Sequence, residues 1–96
     1  MSTEKRRFRA RVDGHVQGVG FRYFVHDTAV SLNLSGWVRN TWNGQVEVEA
    51  EGSPDDLSTL LDALHRGPRS ATVTEVKVDW LEPSDLPAGF EIRSTR

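Results

Sequence analysis

The sequence contains no cysteine, and this absence excludes several kinds of protein. Without thiols the chain forms no disulfides, offers no thiol nucleophile and binds no metal through thiolates, and its composition is compatible with a reducing cytoplasm. Long apolar runs are also missing: none approaches the length that spans a membrane, and the polar first residues lack the apolar stretch of a secretion signal. We therefore predict a cytoplasmic protein with no membrane association.

An excess of basic residues is also lacking, because 12 basic residues stand against 14 acidic ones and the formal net charge is −2. Proteins that bind nucleic acid non-specifically rely on a basic surface, so this balance argues against a nucleic-acid partner. A chain of 96 residues is long enough for one small domain. We predict a flexible lead-in over residues 1–6 and a single domain over residues 7–96 that acts as a monomer.

Three of the eight glycines fall within residues 14–20, between a predicted strand and a predicted helix. Gly14, Gly18 and Gly20 permit backbone conformations closed to other residues, so several N–H groups can point into one cavity. The helix start adds free N–H groups and the positive end of its dipole, and Arg22 in the first turn adds a guanidinium. This combination predicts a phosphoryl-binding site, although the glycines alone are equally compatible with a turn that binds nothing.

The order of predicted elements is β-α-β-β-α-β plus a short terminal strand, which favours a ferredoxin-like α+β sandwich with both helices on one sheet face. Asn43-Gly44 is a hairpin signal between strands Trp37–Thr41 and Gln45–Glu51. Ser53-Pro54 predicts the start of the second helix and Gly67-Pro68 its end. The later strands are predicted over Thr72–Leu81 and around Phe90 and Ile92.

This topology predicts where the functional groups meet. The first two strands run parallel with the third between them, so their carboxyl ends lie at the same edge of the sheet. The glycine-rich loop follows the first strand, and Asn40 lies at the end of the second. Two strand spacings separate them by about 10 Å, a gap that a phosphoryl group and two side chains can fill.

Two segments of the chain carry patterns that resemble a known family. The first reads Val12-x-Gly14-x-Val16-Gln17-Gly18-Val19-x-Phe21-Arg22. The second joins Gly36-Trp37-Val38-Arg39-Asn40 through a glycine turn to the alternating strand of residues 45–52. Both are similar to signatures of the acylphosphatase family, in the same order and at the family's usual distance. The resemblance spans nearly all of the chain and implies the ferredoxin-like fold and a small free-standing hydrolase of acyl phosphates.

The residue types at the site fit that reaction. A carboxylate is a stable leaving group, and phosphoryl transfer depends mainly on positioning and charge stabilisation. We expect Arg22 to stabilise phosphoryl charge and Asn40 to hold the attacking water; the resemblance implies the same roles. Since the arginine and the loop supply the charge, we predict no metal and no cofactor, and a small-molecule acyl phosphate as substrate. The residues expected to bind phosphoryl oxygens through backbone N–H groups are His15, Val16, Gln17, Gly18, Val19 and Gly20.

Two other functions use the same fold. One is a non-catalytic anion-binding regulatory module, but such a module needs no water-positioning amide like that of Asn40. The other is an RNA-binding sheet, which requires exposed aromatics and a basic face, and Glu47 and Glu49 oppose it. The roles of two side chains stay open: Trp42 covers the acyl group of the substrate or simply packs, and His15 occupies a variable position in the loop pattern.

Several side chains outside the site receive a structural interpretation. We expect the acidic stripe of the third strand to form an exposed face or edge rather than a metal site. Arg39 points away from Asn40 along its strand, which predicts solvent exposure. Trp37 and Trp80 are assigned to the core. The acidic stripe consists of Glu47, Glu49 and Glu51.

Overall fold

The computed structural model describes residues 4–96, which form five strands and two helices. The predicted lead-in over residues 1–6 lies partly outside the described residues, and the first strand already includes Arg6. Neither helix within residues 4–96 is long and apolar enough to cross a membrane. The elements are β1 Arg6–His15, α1 Phe21–Ser31, β2 Ser35–Asn40, β3 Val46–Gly52, α2 Pro54–Arg66, β4 Thr72–Leu81 and β5 Phe90–Ile92.

Helix α2 begins and ends at the residues that the sequence indicates. The Ser53 hydroxyl oxygen accepts a hydrogen bond of 3.2 Å from the backbone N–H of Asp56, and Pro54 occupies the first helical position. Gly67 ends the helix with a φ of 68°, in the left-handed region that glycine adopts without steric cost. The predicted cap and stop signals are therefore confirmed.

The five strands form one sheet in the order β4-β1-β3-β2-β5. Strand β3 is central and antiparallel to both β1 and β2, so β1 and β2 run parallel with β3 between them. Both helices pack on one face, over a core built from the inward residues of β1 and β3 and the apolar stripes of the helices. The predicted ferredoxin-like α+β fold is confirmed.

The opposite face of the sheet carries ion pairs rather than solvated carboxylates. Glu47, Glu49 and Glu51 are only 6%, 4% and 3% exposed, so the expectation of an exposed acidic stripe is wrong. Glu49 accepts hydrogen bonds from Arg7 at 3.2 Å and from Arg9 at 2.7 Å. The stripe is buried because β3 has strands on both sides, and arginines of β1 extend over it.

Glu51 contacts backbone rather than arginine. Its carboxylate accepts hydrogen bonds from the N–H groups of Ser84, at 2.7 Å, and Leu86, at 2.6 Å. Burial acts to raise the pKa of the Glu51 carboxyl, but the backbone hydrogen bonds from Leu86, Ser84 and Asp85 outweigh it. With a smaller contribution from the charge of Lys5, they hold the pKa below its ordinary value of 4.5. Glu51 therefore fixes the connection between β4 and β5.

Two further predictions about single side chains are wrong. Arg39 is not solvent-directed: its guanidinium donates to the Glu47 carboxylate at 2.8 Å and lies 4.5 Å from the ring centroid of Trp37. Trp80 is 52% exposed, although its register opposite Phe8 places it on the core face. It stays exposed because β4 is an edge strand, and its main contact is an edge-on one with Phe8 at 5.6 Å. Trp37 is buried as predicted, but among arginines on the face opposite the helices.

Candidate active site

The loop between β1 and α1 takes its backbone geometry from two glycines. Gly18 and Gly20 adopt φ values of 75° and 78°, and a β-carbon at either position would meet open space. Both glycines are therefore required by backbone conformation rather than by crowding. Gly20 is the N-cap of α1 and offers no side chain, so the N–H groups of the first turn carry no side-chain cap.

Gly14 has a different function from the other two glycines. It lies within β1, where the register against β4 shifts between Asp13 and Gly14. A β-carbon at Gly14 would collide with the backbone carbonyl of Thr72, so this glycine permits the close approach of β4. The strand also extends through His15, and the loop proper therefore comprises residues 16–20. Gly14 has the positive φ, 127°, that the sequence predicts, and its contribution to the phosphoryl-binding site stays a prediction.

Apolar side chains and one amide hold the loop in place. The Val16 side chain is buried, and that of Val19 packs partly buried against the core. The Gln17 Nε2 donates to the carbonyl oxygens of Thr41 at 2.9 Å and Gln45 at 2.8 Å. The loop is thus joined directly to the hairpin that follows Asn40, as topology predicts for two segments at one sheet edge.

Arg22 and Asn40, the two predicted catalytic residues, each have a side-chain group without a hydrogen-bond partner within residues 4–96. Arg22 is half-buried in the first turn of α1, and its guanidinium makes no hydrogen bond or ion pair with any of residues 4–96. Asn40 ends β2, and its Oδ1 atom is buried without a hydrogen-bond partner in the same part of the chain. Buried polar atoms are satisfied in more than nine cases of ten, so this amide oxygen is exceptional.

The hairpin beyond Asn40 contains contacts that the sequence did not indicate. The Gln45 Nε2 donates to both Asp13 carboxylate oxygens, at 3.0 and 3.1 Å. The backbone N–H of Arg96 donates to the Asn40 carbonyl at 3.1 Å, and that of Trp42 donates to the Arg96 carbonyl at 3.2 Å. These bonds link positions distant in the sequence, and no local pattern marks them. Trp42 is 84% exposed, which excludes the packing alternative for its side chain within residues 4–96.

Other features of the molecule lie outside this site. No group of three or more histidine, aspartate or glutamate side chains within residues 4–96 is arranged to hold a metal ion. A cavity of about 460 Å³ lies beside β2, but it is lined by Arg39 and residues 92–96 rather than by the loop. His15 is exposed at the end of β1. The predicted phosphoryl site, at the loop, the start of α1 and the end of β2, therefore lies outside this cavity.

The fold is that of a ferredoxin-like α+β protein, with a glycine-rich loop and the end of β2 joined at one edge of its sheet. The family model for acylphosphatase matches residues 8–92. An acylphosphatase of Salinibacter ruber is 50% identical over 91 residues, which cover 95% of each chain. The crystal structure of acylphosphatase from Bacillus subtilis superposes with a TM-score of 0.88 at 39% identity, covering 92% of this chain and 98% of that one. The chain belongs to the acylphosphatase family.

These findings confirm the family that the two sequence patterns indicate, and with it the prediction of a hydrolase. A second relative, the acylphosphatase of Moorella thermoacetica, is 51% identical over 84 residues, which cover 88% of this chain and 89% of that protein. The alternative of a non-catalytic regulatory module is not favoured, because the relatives are named for the enzyme and match over nearly their whole length.

Proposed function

We propose that this chain hydrolyses acyl phosphates to a carboxylate and orthophosphate, with Arg22 and Asn40 as its catalytic residues. The phosphoryl oxygens lie against the backbone N–H groups of residues 15–20 and the Arg22 guanidinium. Support comes from the left-handed glycines of the loop, the start of α1 without a side-chain cap, and an arginine that has no partner within residues 4–96. The charge that builds on the phosphoryl group is stabilised there, in a site organised before substrate arrives.

The reaction is an in-line displacement at phosphorus. A water oxygen forms the new P–O bond while the bond between phosphorus and the acyl oxygen breaks, and the departing carboxylate keeps the electron pair. One water proton passes to a phosphoryl oxygen, so no protein base is needed. Because the carboxylate leaves as a stable anion, no protein acid is needed either. The products are the carboxylate and orthophosphate.

The buried Asn40 Oδ1 is the observation that carries this assignment. An unsatisfied buried acceptor costs about 1–3 kcal/mol, so a position that keeps one gains something other than stability. A carbonyl oxygen at the end of β2 accepts a hydrogen bond from the attacking water and holds the water in line with the bond that breaks. An aliphatic side chain fills the same space but cannot accept that hydrogen bond.

Positive charge at the site comes from the chain itself. In many phosphoryl-transfer enzymes a divalent cation neutralises the phosphoryl oxygens. Here the Arg22 guanidinium, with a fork of N–H donors and no competing partner within residues 4–96, supplies that charge beside the loop. We therefore expect hydrolysis to proceed in the presence of a metal chelator.

The test is hydrolysis of benzoyl phosphate in chelator by wild type, Arg22→Ala and Arg69→Ala. Arg69 is an exposed arginine on the connection between α2 and β4, and its replacement controls for loss of a positive charge. We expect turnover by wild type and Arg69→Ala, and a loss of at least about 1000-fold for Arg22→Ala. Absence of turnover by the folded wild type would refute the proposed reaction, and full activity of Arg22→Ala would refute the role of the arginine.

We further propose that residues 7–96 act as one domain and that the enzyme is a cytoplasmic monomer. Both halves of the site come from the same chain, and the absence of cysteine fits a reducing compartment. Sedimentation equilibrium of the full chain tests the monomer: a mass near 10.8 kDa is expected, and twice that value would contradict it.

A further inference from the structure

Within residues 4–96, Gln17 is the only residue of loop 16–20 whose side chain forms hydrogen bonds to the hairpin after Asn40. Both protons of its Nε2 are used, one on the Thr41 carbonyl at 2.9 Å and one on the Gln45 carbonyl at 2.8 Å. Because both partners are carbonyl oxygens, only the NH₂ end of the amide can face them. The orientation of this side chain is therefore fixed.

The two carbonyls lie just beyond the end of the β2–β3 ladder. Asn40 and Val46 form the last pair of the β2–β3 ladder, and Thr41 and Gln45 are the next residues on each strand. The Gln17 amide thus bridges the open end of the ladder, one residue beyond Asn40. It connects the loop that binds the phosphoryl group to the rung that holds the water-positioning side chain.

The hairpin does not need Gln17 for its own hydrogen bonding. The Thr41 carbonyl already accepts from the Gly44 N–H at 3.2 Å, and the Gln45 carbonyl already accepts from the Thr41 N–H at 2.9 Å. Loop residues 18–20 likewise keep their conformation through the left-handed glycines and the buried Val16 side chain. The Gln17 amide therefore adds a link between the loop and the hairpin, beyond the bonds that the hairpin makes within itself.

We propose that Gln17 is a positioning residue that sets the distance between the bound phosphoryl group and the water held by Asn40. This proposal rests on the proposed function, because it assigns an effect through Asn40 on in-line attack. Reacting atoms must lie about 3–3.5 Å apart, and a displacement of about 1 Å lowers the rate by about 100-fold. Removing the amide leaves phosphate binding intact and slows the chemical step.

The experiment is a double-mutant cycle on kcat with benzoyl phosphate, combining Gln17→Met with Asn40→Ala. Methionine approximates the length of glutamine but has no N–H donor, and Gln17→Ala serves as a second variant. The matched control is Gln45→Met, which removes an amide bonded to Asp13 in the same hairpin. Circular dichroism and urea unfolding establish that each variant is folded.

We expect Gln17→Met to lower kcat by roughly 10- to 100-fold and to leave the inhibition constant of inorganic phosphate within about twofold of wild type. In the Asn40→Ala background, Gln17→Met should lower kcat by no more than about twofold, because the side chain that Gln17 positions is absent. Gln45→Met should change kcat far less than Gln17→Met.

Three results would overturn the proposal while leaving the hydrolase function intact: unchanged kcat in Gln17→Met, a parallel loss of phosphate affinity, or losses that multiply in the double variant. Loss of affinity would make Gln17 part of the phosphate site, and multiplying losses would make it independent of Asn40. An inactive wild type would instead refute the proposed function, and the role of Gln17 with it.

Discussion

Replacing Asn40 separates the energetics of catalysis from those of folding. Asn40→Ala removes the acceptor that holds the attacking water while Arg22 and the loop still bind the phosphoryl group. We expect kcat to fall by about 100- to 1000-fold, the range measured when one preorganised polar group of an active site is deleted. The inhibition constant of inorganic phosphate should change by less than about threefold, because the loop donors are untouched.

The unpaired amide oxygen of Asn40, which serves catalysis, lowers the stability of the fold. In the wild type, Asn40 Oδ1 is buried without a partner in the described chain, which costs about 1–3 kcal/mol. Alanine removes that penalty but also a little packing, and leucine removes the penalty while keeping the volume. We therefore expect Asn40→Ala to be as stable as wild type and Asn40→Leu to be more stable by about 1 kcal/mol.

Urea unfolding followed by circular dichroism measures the free energies of unfolding, and initial rates with benzoyl phosphate measure kcat. Asn33→Gly is the matched control: Asn33 follows the far end of α1, about 16 Å along the helix from Arg22, and its φ of 56° suits glycine. This variant should keep full activity. A destabilisation above about 1 kcal/mol in Asn40→Leu, or wild-type kcat in Asn40→Ala, would show that the reasoning about the unpaired oxygen is wrong.

Three further predictions concern the stability of the fold, at two carboxylates and at two glycines. Glu49→Ala removes the carboxylate partner of Arg7 and Arg9. Because both arginines are partly exposed, we expect about 2 kcal/mol of lost stability in urea unfolding, and no loss would show the pairs to be neutral. The lowered pKa of Glu51 means that its carboxylate stabilises the fold above pH 4.5 and that this contribution is lost as the pH falls further. Glu51→Gln should therefore cost about 2 kcal/mol at pH 7, and its difference from wild type should shrink on acidification below pH 4.5; a constant difference contradicts this. Gly20→Ala should cost about 1–2 kcal/mol through its left-handed φ, whereas Gly14→Ala should cost more because its β-carbon meets backbone; thermal melts of the two compare them directly.

Local chemistry predicted much of the fold and of the site. The Ser53 cap and the glycine stop at Gly67 act within a few residues, so the sequence is sufficient to place them. The convergence of the loop and Asn40 also followed from the sequence, because the order of elements admits few ways of arranging parallel strands. These predictions required no knowledge of individual tertiary contacts.

Predictions failed where exposure depended on neighbouring strands. Alternation correctly placed Glu49 on the face opposite Val48, but it could not show that arginines of β1 would cover that face. Trp80 was placed on the correct face for the same reason, yet its edge strand leaves it half-exposed. The bridging bonds of Gln17 require the register of the hairpin against the loop, and no single-chain pattern contains that register.

The central place of β3 has a consequence for how the chain folds. Strands β1 and β2 each pair with β3 and not with each other, so the two halves of the site have no direct ladder between them. A refolding chain must close the long separation between β1 and β3 before the loop and Asn40 share an edge. Folds dominated by such non-local pairings have high contact order and fold slowly. The rate at which turnover returns during refolding therefore reports when the central strand pairs with β1 and β2. Early formation of the α-helices does not contribute to that signal.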